Sequence, residues 1–179
     1  LFIMVSAGLS SCGSMFSGLM NGILGTSYTS EDSDLVATEN NYAAKENELQ
    51  QQIDNIESTH PGYDEYRYNI GAIEHDPYVL MGYLTAVYQD FSYSEAEGVL
   101  RQLFQEQYSL SFSEETEIRY RTETTIDPET GEETEEEVPY EWRILNVKLT
   151  ATPLENLAVS RMNEEQKEIC EILLQTKGN

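Results

Sequence analysis

At 179 residues, 39% of them hydrophobic, the chain is long enough for one domain with a real core plus appendages, and too apolar for a disordered tail. Lys+Arg total 10 against 33 for Asp+Glu, a formal net charge of -23 with no local basic stripe to offset it, which repels phosphate backbones and excludes nucleic acid as a partner. The two cysteines, Cys12 and Cys170, stand in unlike contexts and exclude a disulfide framework, while the abundant carboxylates read as a solvated surface rather than a site.

The first charged residue is Glu31, so residues 1–28 read as an anchor, in one of two ways. Leu9-Ser10-Ser11-Cys12-Gly13 matches a bacterial lipobox, with Cys12 the lipidation site. Alternatively the segment is the outer half of a transmembrane helix, a full span needing about 20 apolar residues. Ser10, Ser14, Gly18 and Gly22 recur every fourth position, a spacing that allows close helix contact in lipid and equally suits a weakly apolar linker.

Residues 29–60 turn acidic and helical. Leu35, Tyr42, Leu49 and Ile56 stand seven apart with Ile53 beside them, a thin stripe on a helix over about residues 33–58 that suits a stalk or a packing partner. His60-Pro61-Gly62 ends it. Tyr63, Tyr66 and Tyr68 follow at irregular spacing; such a cluster forms either a partner-binding platform or the rim of a core.

Asp76 before Pro77 starts a helix whose apolar face is Leu80, Tyr83, Leu84, Val87 and Tyr88. Ser94 with Glu97 reads as a capping box for a second, carrying Val99, Leu100, Leu103 and Phe104, and a short loop makes the two antiparallel neighbours able to cover the next element.

That element, residues 110–151, reads as one long β-hairpin. Leu110, Phe112, Ile118 and Tyr120 fall on even positions, residues 127–132 turn the chain, and Val138, Tyr140, Trp142 and Ile144 return on even positions. Pro128 suits the first corner of the turn and Gly131 its left-handed closing position. Thr124 opposite Glu136 then sets Tyr120 across from Tyr140 and Ile118 across from Trp142, with ion pairs Glu117–Arg143 and Arg119–Glu141 behind. Beyond Ile144 the apolar parity shifts to Leu145, Val147, Leu149 and Ala151, which calls for a bulge or a strand changing neighbours. A capping box from Thr152 to Glu155 opens a short helix, and Asn163 caps a last one with Ile169, Leu173 and Ile172 inward. The sum is an α+β fold, helices packed on a small antiparallel sheet built around the hairpin, preceded by a membrane segment and a long acidic helix. The organisation is 1–28 anchor, 29–60 acidic helical stalk and 61–179 α+β domain.

Chemistry is hard to place in this chain. Its two histidines, His60 and His75, and the thiol of Cys170 carry no nucleophile signature, and Cys170 reads as a small buried hydrophobe. Zinc-ligand spacing, a calcium loop and a phosphate cradle are not found in the sequence, so no catalytic residue, metal or cofactor is assigned.

Several strings are nevertheless distinctive: His60-Pro61-Gly62-Tyr63-Asp64-Glu65-Tyr66-Arg67-Tyr68, Glu106-Gln107-Tyr108, Glu117-Ile118-Arg119, Pro139-Tyr140-Glu141-Trp142-Arg143-Ile144-Leu145 and Thr176-Lys177-Gly178-Asn179. They resemble the non-catalytic, membrane-proximal region of cell-wall hydrolases carried by integrative conjugative elements and transposons of Gram-positive bacteria. The resemblance implies an extracytoplasmic domain tethered to the cell membrane, positioning a wall-cleaving peptidase at a conjugative type IV secretion apparatus. Its partners would be conjugation-channel proteins or the cell wall; the tyrosine cluster of Tyr63, Tyr66 and Tyr68 is the candidate partner-binding surface of the chain. A lysostaphin-like or papain-like peptidase domain would follow Asn179, and zinc would belong only there. The alternative is a stand-alone lipoprotein or channel subunit binding the conjugation machinery.

Overall fold

The computed structural model describes residues 28–175. Among these lie six helices, α1 (Asp32–Asp54), α2 (Ile56–Thr59), α3 (Pro77–Tyr88), α4 (Tyr93–Gln107), α5 (Leu154–Arg161) and α6 (Glu164–Gln175), and three strands, β1 (Glu65–Ile70), β2 (Tyr108–Ile126) and β3 (Glu133–Ala151). The fold is α+β. No helix among the described residues is long and apolar enough to cross a membrane. Residues 1–27 of the expected anchor segment, Cys12 among them, lie outside the described residues. Two compact units divide the chain, one from residues 28–48, 73–107 and 152–175, the other from 49–72 and 108–151.

The first unit is built of helices packed on helices. Asp76 caps α3 as its sequence predicts, Oδ1 accepting from the Tyr78 amide at 2.8 Å with Pro77 in the first turn. Residues 79–86 of α3 are all buried, as a helix apolar on every side requires. Around it stand Leu35 and Tyr42 of α1, Ala96, Leu100 and Leu103 of α4, Leu154 and Ala158 of α5, and Cys170 of α6. The seven-residue stripe of α1 is therefore a packing surface.

Three helix boundaries or faces differ from expectation. The capping box of α4 is Ser92 with Glu95, not Ser94 with Glu97: Glu95 accepts from the Ser92 amide at 2.9 Å, while Asp34 takes the Tyr93 amide at 2.7 Å. The Thr152–Glu155 box does not form. Pro153 is the N-cap of α5 and has no polar side chain to cap it, and the Thr152 amide that Glu155 would have taken goes to the Gln107 carbonyl at 2.8 Å. Asn163 does cap α6, reciprocally with Gln166 at 2.9 Å each way. Its inward face, however, is Cys170 and Leu173; Ile169 and Ile172 are exposed. Gly82 explains the turn of that face, since a Cβ there would sit 3.2 Å from Cys170 Sγ.

In the second unit the sheet is mixed, not the antiparallel sheet expected, because β1 joins the hairpin in parallel, and its order is β1-β3-β2. β1, over the segment read only as a tyrosine cluster, pairs parallel to β3 from Glu65↔Ile144 to Ile70↔Leu149. The hairpin is present, but its register is one residue from the expected one: Thr124 faces Glu135, Tyr120 faces Pro139 and Ile118 faces Glu141. The turn sets this. The Gly131 amide reaches the Asp127 carbonyl at 2.8 Å, the Asp127 amide reaches the Glu132 carbonyl at 2.9 Å, and Gly131 takes φ 73. Pairing Asp127 with Glu132 forces even positions of β2 opposite odd positions of β3, so Ile118 and Tyr120 lie on one face and Tyr140 and Trp142 on the other. The expected Glu117–Arg143 and Arg119–Glu141 cross-strand pairs are lost with the slip.

The parity shift at Ile144 involves neither a bulge nor a change of partner. β3 keeps β2 throughout and gains β1 on its other edge from Ile144 onward. A strand flanked on both sides can be buried on both faces, and Ile144, Leu145, Val147 and Leu149 all are. Leu49, Ile53 and Ile56 from the helical segment are the other buried apolar side chains of this unit, with Tyr108.

Candidate functional site

Residues alternate in direction along β1, and the sheet carries different chemistry on its two faces. One face holds a charge network. Arg67 Nε meets Glu65 at 2.7 Å, and its two terminal nitrogens meet Glu117 at 2.9 Å and Glu115 at 3.4 Å. Arg119 Nη2 meets Glu117 at 2.7 Å and Glu65 at 3.1 Å. The Trp142 indole donates to Glu65 at 2.9 Å while the Arg119 guanidinium lies 4.2 Å over its ring. Arg67 first, then Trp142, hold the Glu65 carboxyl down to about 2, and Arg119 followed by Arg67 lowers Glu117. The two arginines are thus saturated by carboxylates, which suits a rigid strand face better than an anion site.

The other face of the sheet carries the three tyrosines singled out by the sequence. Tyr66 donates to the His60 carbonyl at 2.7 Å and packs edge-on with Tyr63 at 5.8 Å. Arg143 lies 4.9 Å over the Tyr63 ring, and Glu114 pushes the Tyr63 hydroxyl up from its ordinary ionisation range. His60 stacks on Phe112 at 4.7 Å. Tyr63 and Tyr66 are half-buried closures of the His60-Pro61-Gly62 loop, whereas Tyr68 is exposed.

Beyond Arg143 this face continues along the hairpin without β1. Residues 116–143 form a two-stranded arm, and Ile118, Tyr120 and Ile126 on it are 58%, 63% and 62% exposed. Matching parity on the two strands predicts Ile118 and Tyr120 on one face with Trp142; the observed register parts them.

The first unit holds a charge cluster around the buried His75, which no local motif signals. His75 Nε2 lies 3.1 Å from Glu39 and Nδ1 3.0 Å from Glu46. Burial pulls the imidazolium down, but the two carboxylates reverse it and hold His75 up to about 9. Tyr42, on the same helix as both glutamates, packs its ring 4.7 Å from His75 and donates to Gln107 Oε1 at 2.6 Å. With both ring nitrogens engaged, His75 offers none to Cys170, whose thiol burial pushes up. Glu39 and Glu46 stand seven apart on one helix face, the signal that marks them in the sequence. Among the described residues no group of three or more His, Cys, Asp or Glu is arranged to hold a metal ion.

Compared with known protein families, curated proteins and solved structures, the chain has no match.

Proposed function

We propose that this chain is a protein-docking domain, the membrane-tethered extracytoplasmic part of a mobile-element peptidoglycan hydrolase, which positions a wall-cleaving peptidase at a conjugative secretion apparatus. The setting rests on the resemblance of the strings around His60, Glu117 and Pro139. The docking role is carried by one observation, the hairpin arm of residues 116–143, which exposes three large apolar side chains on one face and leaves both strand edges open. A two-stranded ribbon is at best marginally stable alone, and an exposed apolar face on one marks an interaction surface. Tethering would act through effective concentration, keeping an attached enzyme near its substrate without adding contacts to it.

The test is a pull-down from envelope extracts of a conjugation-competent Gram-positive host, with the full chain as bait and purified peptidoglycan as a parallel ligand. Recovery of secretion-channel proteins supports docking at the apparatus. Retention on peptidoglycan with no protein partner replaces it with a wall-binding module.

A further inference from the structure

The observed register sorts charge and apolar surface on the arm in a way that composition does not. On the face carrying Ile118, Tyr120 and Ile126, the partners directly across on β3 are Glu141, Pro139 and Glu133, and Glu137 and Glu135 fill the positions between them. Beyond Arg143 no basic residue occupies this face, and no ion pair to any of these four glutamates occurs among the described residues. On the opposite face Arg119 is paired with Glu117 and Glu65 and Arg121 with Glu123 at 2.6 Å, both arginines lie over aromatic rings, and of its glutamates on the arm only Glu136 has no ion pair among the described residues. One face therefore pairs most of its charge, while the other sets an exposed column of Ile118, Tyr120, Thr122, Thr124 and Ile126 beside four glutamates without a counter-charge.

We propose that this face binds a cationic amphipathic segment of a partner protein, in which lysine or arginine alternates with apolar side chains. The inference rests on the docking reading above and names the chemistry of the partner. Alternation follows from the geometry, because a segment lying along the strands meets the apolar column of β2 and the carboxylate column of β3 side by side. Charge complementarity selects the partner: at -23 a second copy of the chain is repelled, and an anionic segment would meet four carboxylates without a counter-charge.

Fluorescence anisotropy of the full chain with synthetic peptides tests this. The probes alternate lysine with leucine, lysine with serine, or glutamate with leucine. The lysine–leucine peptide is expected to bind at least about tenfold more tightly than either other peptide. The pair Ile118→Ser with Tyr120→Ser, and the pair Glu135→Gln with Glu137→Gln, should each weaken it by about tenfold. Glu123→Gln with Glu136→Gln removes the same charge from the opposite face and should change binding by less than about twofold. Equal weakening by both charge pairs, or equal binding of the lysine–serine peptide, would mean only a general acidic field and would overturn the proposal. Concentration-dependent self-association abolished by the Ile118 and Tyr120 changes would overturn it in favour of a second copy. If envelope partners are captured equally by wild type and by the Ile118→Ser, Tyr120→Ser chain, this surface is wrong while the docking reading stands; capture of no protein partner by either sinks the docking reading itself. All substituted positions are exposed, and circular dichroism checks that each variant keeps its fold.

Discussion

The indole of Trp142 donates to the carboxylate of Glu65 at 2.9 Å, across the parallel pair β1 and β3, and so ties the His60–Ile70 segment to the hairpin. Trp142 is the protein's one tryptophan, which makes its emission a direct report on Glu65. Arg67 and Trp142 hold that carboxyl down to about 2 from an ordinary 4.5. A depressed carboxylate contributes stability that is complete above its unfolded value and is lost as pH falls through the folded one. Trp142 emission should therefore hold steady down through pH 4.5 and change only as pH falls toward about 2. In Glu65→Gln that acid step should vanish. A wild-type transition centred near 4.5 would show that the network does not hold the carboxylate.

His75 gives the opposite dependence. Its imidazolium is raised from 6.5 to about 9 by Glu39 and Glu46 against the cost of burial. Such a group contributes stability that is complete below 6.5 and is lost as pH rises through the folded value, so the melting temperature should fall between 6.5 and about 9. His75→Gln takes the cation away from the buried carboxylate of Glu39 and should cost about 3 kcal/mol in a denaturant titration. Thermal melts of this variant should lose the alkaline step as well. An unchanged alkaline step would place its origin elsewhere.

Much of the architecture is legible in local pattern. The cap at Asp76, the reciprocal pair at Asn163, the left-handed Gly131 and the two long strands are all signalled within a few residues of where they act. β1 is signalled too, by parity: Tyr66, Tyr68 and Ile70 alternate with Glu65, Arg67 and Asn69, and Glu65-Tyr66-Arg67 repeats the form of Glu117-Ile118-Arg119. Reading the tyrosines by spacing hides that alternation. The parallel pairing of β1 with β3 is a long-range choice that no local pattern names. Matching parities on two strands favour an even pairing, whereas backbone bonds in the turn, Asp127 with Glu132 and Gly131, decide the register. Since the register determines which face is acidic and apolar, the candidate docking surface was invisible until the turn was known.

Two buried threonines predict a gain from simplification. The hydroxyls of Thr38 and Thr85 are buried and have no hydrogen-bond partner among the described residues. A buried hydroxyl without a partner bears its full desolvation cost, so Thr38→Val and Thr85→Val should each raise stability by about 1 kcal/mol. Both residues are helical, where valine and threonine have similar propensity, so the backbone term nearly cancels. Urea unfolding midpoints check this, and a loss of more than about 1 kcal/mol would show that each hydroxyl is bonded after all.

Pro139 interrupts the open edge of the arm. The Arg143 and Leu149 carbonyls accept from the Asp64 and Gly71 amides, so odd residues of β3 direct their backbone groups toward the β1 side. Pro139 is odd and lies beyond the end of β1, so its missing amide falls on the open edge and costs the hairpin ladder nothing. An edge interrupted by proline and lined by Glu135, Glu137 and Glu141 is a poor template for another strand. Pro139→Thr restores a donor with a strong β-former in the same register, and the pairing of Tyr120 with position 139 persists. The variant should keep its thermal stability within about 1 kcal/mol yet self-associate at concentrations where the wild type stays dispersed, as read by light scattering. Light scattering from Pro139→Thr no greater than from wild type would show that the glutamates alone guard the edge.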